Sequence, residues 1–218
     1  MVLGIYGTGG SGQEVYEILE CNESIRTQWS EVVFIDDTRE KGTFRDCQMM
    51  PFVEFVQMYK TLDAEIVIAV GEPKYRKILG EKVRTNGYEL ATIIHPLAFV
   101  SPTARIGKGV VLQESVYVSA GADVGNNTYV NGKTIIGHNV TIGENSQISS
   151  FAIIAGTTTV GENAYIGVSS AIRDHLHIGD NVVVSMGAMV MKDVRDNKIV
   201  MGNPAREMAE NTDKQVFK

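Results

Sequence analysis

From Ile94 to Val190 every sixth residue is Ile, Val or Leu without a break, and few folds can use such a register. The series runs Ile94, Val100, Ile106, Leu112, Val118, Val124, Val130, Ile136, Ile142, Ile148, Ile154, Val160, Ile166, Ile172, Ile178, Val184 and Val190. A helix repeats every ~3.6 residues and a strand every ~2, so neither sustains the run; a short unit that stacks on itself does. Small or β-branched residues return four positions later, as at Ala122, Thr128, Thr134, Val140, Ser146, Ala152, Thr158, Ala164 and Ser170. A period of eighteen lies on top of the first: Ile106-Gly107, Val124-Gly125, Ile142-Gly143, Val160-Gly161 and Ile178-Gly179 all open hexapeptides in the same way. Four of these continue with Asn, at 127, 145, 163 and 181, which suits a turn that needs positive φ. Three hexapeptides therefore make a triangular coil, and the coils stack into a prism around a column of aliphatic side chains.

The prism accounts for residues 94–218 and leaves 1–93 as a separate domain of the 218-residue chain. In that first part, Val2 to Tyr6 is an apolar run that ends in Gly7-Thr8-Gly9-Gly10-Ser11-Gly12, and Gln13 to Glu20 follows with helical spacing. Val32 to Ile35 ends in Asp36-Asp37, Glu65 to Val70 ends in Gly71 before a charged helix over Lys74 to Thr85, and Leu90 to Ile94 forms a fourth stretch. Alternating strand and helix predicts a small parallel sheet of Rossmann type. The glycine turn brings backbone N–H groups to a phosphate at a helix N-terminus, and Asp36, 24 residues after Gly12, stands where an acid meets a ribose. About ninety residues hold only one mononucleotide half of a dinucleotide fold, which favours a nucleotide attached to something else over NAD.

A net charge of -6 and a pI near 5.3 disfavour nucleic acid as a partner, because no basic stripe is present to release phosphate counterions. No apolar run approaches the ~20 residues of a membrane span, and Met1 leads straight into a strand, so the expected location is the cytoplasm without a membrane partner. Cys21 and Cys47 lack His in metal-ligand spacing and are expected as free thiols. His175 and His177 flank Leu176, and in an extended coil both point outward, but no third ligand is visible and no metal is expected. His95, before Pro96 at the domain junction, reads as a packing or hydrogen-bonding residue.

A half-Rossmann domain followed by hexapeptides resembles the NeuD/PglD-type sugar acyltransferases, through the glycine turn, FIDD, AVG, IHP and GNPAR at Gly202 to Arg206. The resemblance implies a left-handed parallel β-helix, acetyl-CoA as co-substrate and a homotrimer with active sites between chains. It places the diphosphate on Gly10, Ser11 and Gly12, with Ser11 where the family usually has His, and the base and ribose on Asp36 and Asp37, with Gly71 beside them. Acetyl-CoA would lie between adjacent prisms along Gln147, Gly156, Val168 and Gly187, with Arg206 near its adenine nucleotide. The family's catalytic histidine matches His138, within Asn131 to Asn139. An imidazole there takes the proton released when a nucleophile attacks the thioester, and no covalent enzyme intermediate is needed.

Two departures bear on the chemistry. His138 is flanked by Gly137 and Asn139, where the family commonly has carboxylates, and Gln147 replaces a second family histidine. A weaker base favours an amine nucleophile, which already attacks thioesters when neutral, over a hydroxyl. The resemblance thus points to N-acetylation of a UDP- or dTDP-linked 4-amino-deoxysugar for bacterial surface glycans, with His138 and Asn139 as the catalytic pair. O-acetylation of sialic acid or another sugar, and a catalytically idle nucleotide-sugar binder, are the alternatives. Outward apolar residues such as Tyr117, Tyr129 and Phe151 need cover.

Overall fold

The structure, a computed structural model, describes residues 1–217. The N-terminal sheet contains β1 (Val2–Tyr6), β2 (Glu31–Ile35), β3 (Gly42–Phe44), β4 (Cys47–Met50), β5 (Ala64–Ile68) and β6 (Glu89–Leu90), with helices α1 (Gly10–Glu20), α2 (Glu23–Arg26), α3 (Phe52–Met58) and α4 (Pro73–Thr85). Its order is β3-β4-β2-β1-β5-β6, parallel except for β3. All five residues of β1 are buried, as a continuous apolar run in the middle of a parallel sheet should be. The chain leaves β1 through α1 for β2 on one side and later returns to β5 on the other. The C-terminal end of β1 is therefore a topological switch point, where open α/β sheets bind ligands. The β3–β4 hairpin and α3 had no counterpart in the sequence reading: the first is held at a tight turn by Arg45 and Asp46, both at positive φ, which their residue types do not announce.

Leu90 to Ile94 is not one strand. Glu89–Leu90 closes the first sheet, while Ile93–Ile94 pairs with Val111–Leu112 and opens the prism. From there two-residue strands recur every six residues and pair in parallel with strands eighteen residues away, giving three flat faces. The first face carries Ile93–Ile94, Val111–Leu112, Tyr129–Val130, Gln147–Ile148, Tyr165–Ile166 and Val183–Val184; the second begins with Phe99–Val100 and the third with Arg105–Ile106. The sixth-residue series points inward into one continuous core, fully buried at positions such as Val118, Ile136, Ile148 and Ile166. Together the domains form a half-Rossmann unit joined to a left-handed parallel β-helix. Asn127, Asn145, Asn163 and Asn181 all occupy the corner between the third and first faces with φ between 54° and 60°, where a side-chain amide tolerates the left-handed region better than a branched residue would.

The outward surfaces of the three faces differ. On the first, Ile93, Val111 and Tyr129 join the α1-side core of the N-terminal domain, so the two units share apolar packing. Tyr129, expected to need cover, receives it from its own chain and is fully buried. The third face presents Arg105, Asp123, Thr141, Thr159 and His177, including an Arg105–Asp123 ion pair. The second presents Phe99, Tyr117, Ile135, Ile153 and Met189, each between 36 % and 49 % exposed, with Phe99 and Tyr117 stacked. Cys21 and Cys47 are free, and His95 accepts a hydrogen bond from the Leu97 amide at its Nδ1. Among the described residues no helix is long and apolar enough to cross a membrane.

Candidate active site

A cavity of about 440 Å³ opens at the switch point, between the ends of β1, β2 and β5. Gly10, Ser11, Asp36, Asp37 and Gly71 all line it, together with Thr8 and Tyr75, which the sequence reading did not single out. The helix α1 starts at Gly10 after the extended Gly9, so its first N–H groups lack helical partners and face an incoming anion. A side chain at Gly10 would meet nothing. Gly12 has a different place: it is buried, and a Cβ there would collide with the carbonyl of Gly7. Gly12 therefore lets α1 approach the end of β1. Gly12→Ala should cost about 1–3 kcal/mol through forced displacement, read by denaturant unfolding.

The two acids are already engaged. Asp37 accepts from the Phe52 amide at 2.8 Å on one oxygen, and from Tyr6 and Lys82, the latter at 2.6 Å, on the other. Asp36 accepts from the amide and hydroxyl of Thr38, at 2.9 and 2.6 Å, and from the Thr8 hydroxyl. Partial burial alone would raise both carboxyls, but these donors outweigh it and hold both below their ordinary value. Each carboxylate keeps roughly one acceptor position of its ~4 for a ligand. Burial and the nearby Asp37 push the Tyr6 phenol up, so it stays a donor.

Arg76 of α4 is fully buried between the domains without a carboxylate partner. Its Nε and Nη2 donate to the carbonyl of Asn127 at 2.8 and 2.7 Å, Nη2 also to Asn127 Oδ1 at 3.0 Å, and Nη1 to the carbonyls of Ile68 and Val70 at 2.8 and 3.0 Å. Burial lowers its pKa to about 9, still above neutrality, so the guanidinium stays charged. One side chain thus ties the end of β5, which forms a cavity wall, to the asparagine corner of the prism. Gly80 permits this approach, since a Cβ there would lie 2.7 Å from Asn127 Nδ2. The signal in the sequence was a charge on the stripe that α4 buries with Gly80 and Val83.

A second cavity, of about 310 Å³, shares Gly10, Ser11 and Gly71 with the first and continues onto the first face of the prism through Asn131, Gln147 and Tyr165. Its far wall is the C-terminal segment: the Phe217 ring sits edge-on to Tyr165 at 5.4 Å, and the amides of Val216 and Phe217 both donate to Glu72 at 2.9 Å. Gln147 lies here, beside the glycine turn, and not with the other residues expected along acetyl-CoA.

His138 is exposed at the corner between the second and third faces, with its ring lying against Gly156, where a Cβ would collide with it. Asn139, at φ 56°, brings its Nδ2 to 3.3 Å from His138 Nδ1. Val168 and Gly187 meet at the opposite edge of the second face, linked by a 2.8 Å backbone bond, and Arg206 is exposed on the terminal hairpin strand. Gly156, Val168 and Gly187 thus flank the apolar second face, Arg206 lies on a strand that extends the sheet of the first, and neither cavity includes His138. His175 occupies a left-handed corner turn at φ 56° while His177 is in a strand, so the two do not project from one extended segment as the spacing implied. No group of three or more metal-ligating side chains occurs among the described residues.

Residues 2–83 match the family described as PglD N-terminal domain, and residues 157–192 the family described as hexapeptide repeat of succinyl-transferase. The chain is 30% identical over 112 residues to the UDP-N-acetylbacillosamine N-acetyltransferase of Bacillus subtilis (strain 168), a stretch covering 50% of this chain and 49% of that protein. The alignment therefore spans about half of the curated relative. The structure is similar to the acetyltransferase domain of PglB from Neisseria gonorrhoeae FA1090 in complex with acetyl coenzyme A, at TM-score 0.87 and 29% identity over 95% of this chain and 98% of that one. It is also similar to PerB from Caulobacter crescentus in complex with CoA and GDP-perosamine, at TM-score 0.86 and 26% identity over 96% and 98%.

Proposed function

We propose that this chain, whose residues 2–83 and 157–192 match the PglD N-terminal domain and hexapeptide-repeat families, is a sugar acetyltransferase of the NeuD/PglD type and transfers acetyl from acetyl-CoA to the amino group of a nucleotide-linked amino sugar. One observation carries this reading: the nucleotide cavity at the switch point continues, past Ser11 and Gly71, into a second cavity floored by the prism. A diphosphate on the α1 N-terminus would send its base toward Asp36, Asp37 and Tyr75 and its sugar toward Asn131 and Gln147. Residues 1–93 then bind the nucleotide sugar and 94–218 carry acyl transfer. Tyr75 offers a face for a base to stack on, a contact that suits pyrimidines and purines alike.

The sugar amine attacks the thioester carbonyl carbon, and its proton passes to His138. The tetrahedral intermediate collapses with loss of the CoA thiolate, giving an acetamido sugar and CoA. Asn139 can serve where a carboxylate would: with its Oδ1 turned to the ring it accepts Nδ1–H and leaves the Nε2 lone pair free. A neutral acceptor raises ring basicity less than a carboxylate does, which supports an amine over a hydroxyl as nucleophile.

The nucleotide cavity sits over the first face and His138 on the far corner, so a neighbouring subunit's His138 completes the site. The apolar second face is the surface for that contact, in a homotrimer that seats acetyl-CoA between Gly156 of one prism and Val168 and Gly187 of the next, with Arg206 near the nucleotide end. Ile135→Lys, a charge set in the middle of that face, should convert the trimer to monomers in sedimentation analysis and abolish turnover, with nucleotide binding retained.

The reaction itself is tested by mass spectrometry of products from acetyl-CoA and a panel of UDP-, dTDP- and GDP-linked 4-amino sugars. Gain of one acetyl group on a panel member is the expected result. Acetylation of a sugar hydroxyl with none at an amine, or nucleotide-sugar binding without affinity for acetyl-CoA, overturns it.

A further inference from the structure

Three side-chain amides, Gln113, Asn131 and Gln147, form a chain with a fixed direction that ends in the floor of the second cavity. Gln113 donates from Nε2 to Glu14 at 2.7 Å and to the Tyr129 hydroxyl at 3.0 Å, and its Oε1 accepts from the Gly132 amide at 2.9 Å and from Asn131 Nδ2 at 3.1 Å. Asn131 Oδ1 in turn accepts from Gln147 Nε2 at 2.5 Å. An amide can present either end, but an ionised carboxylate only accepts, and a backbone N–H only donates. Glu14 and the Gly132 amide thus orient Gln113, Gln113 orients Asn131, and Asn131 orients Gln147. The chain ends at Gln147 Oε1, which is buried, has no hydrogen-bond partner among the described residues, and faces Gly71, whose Cβ would lie 4.0 Å away. Gln147 as a whole is 4 % exposed. A buried acceptor left empty costs more than one that is filled, so the cavity is built for a ligand that brings a donor.

We propose that Gln147 Oε1 reads a hydrogen-bond donor, a hydroxyl or amine, on the sugar of the bound nucleotide sugar, and that Glu14 is the positioning residue that sets its polarity. This rests on the nucleotide-sugar reading above and moves Gln147 from acetyl-CoA to the sugar. Gln147 selects for a donor on the sugar and contributes nothing to the nucleoside diphosphate, which lies on the other side of Ser11 and Gly71.

Calorimetry tests this on the 218-residue chain with UDP, dTDP and GDP and with their 4-amino-sugar conjugates, and requires no turnover. The wild type should prefer a conjugate over its bare diphosphate. Gln147→Leu should lose about tenfold or more of that preference with affinity for the diphosphate unchanged. Glu14→Gln, which leaves the Gly132 amide as the remaining fixed constraint on Gln113, should lose a smaller part of the preference, and on the conjugate alone. Equal affinity of the wild type for conjugate and diphosphate, equal losses on both in Gln147→Leu, or a change confined to acetyl-CoA would overturn the assignment. Preference for the conjugate without any acetylation would instead sink the proposed reaction and leave the reading of Gln147 standing.

Discussion

Arg76→Met is expected to destabilise the protein by about 3–5 kcal/mol, the scale of breaking a buried charged network, measured by denaturant unfolding. Methionine fills much of the space but donates nothing, so the carbonyls of Ile68, Val70 and Asn127 would lose their buried partner. Arg76→Lys should lose nearly as much. One ammonium nitrogen cannot reach both the end of β5 and the prism corner, which the planar guanidinium spans. Nucleotide affinity should fall in both variants, because Val70 lies in the cavity wall and loses its tie to the prism. Surviving stability within 1 kcal/mol of wild type would mean that water replaces the guanidinium, a possibility that its complete burial argues against.

The second large effect is at His138. His138→Ala should lower kcat about 10²–10⁴-fold, the usual contribution of a positioned base, with little change in the affinity for acetyl-CoA or nucleotide sugar. The side chain is exposed at a corner and supports no core packing, so stability should be unaffected, as a thermal melt would show. Asn139→Asp supplies the missing carboxylate. It should raise the basicity of the ring and move the acidic limb of the kcat profile to higher pH, the sign expected when a negative charge favours the protonated imidazole. A kcat in His138→Ala equal to wild type would remove His138 from the mechanism and leave positioning alone to explain catalysis.

The prism was legible because its periodicity is local and repeated. Each inward position from Ile94 to Val190 obeys the same steric demand, and each corner asparagine answers the same positive φ, so seventeen weak signals agree. The glycine turn was legible for a related reason: strand, turn and helix are contiguous in sequence, and Gly10, Ser11, Asp36, Asp37 and Gly71 needed only correct strand order to meet. The roles of the two acids were less legible. Both already accept hydrogen bonds from residues such as Lys82, 45 positions away, and Thr8, 28 away, and no local pattern marks such partners.

The amino-acid sequence by itself determined the two architectures and the glycine turn that follows β1, because each depends on short-range spacing and backbone preference. Only the tertiary structure decided how the two are fastened and where the site continues. Arg76 reaches Asn127, 51 residues on, and Glu14 reaches Gln113, 99 residues on. It also separated the three outward faces into one covered by the chain itself, one polar and one apolar and open. Burial of a charge or an amide is settled by what packs over it, and here that cover comes from the other domain.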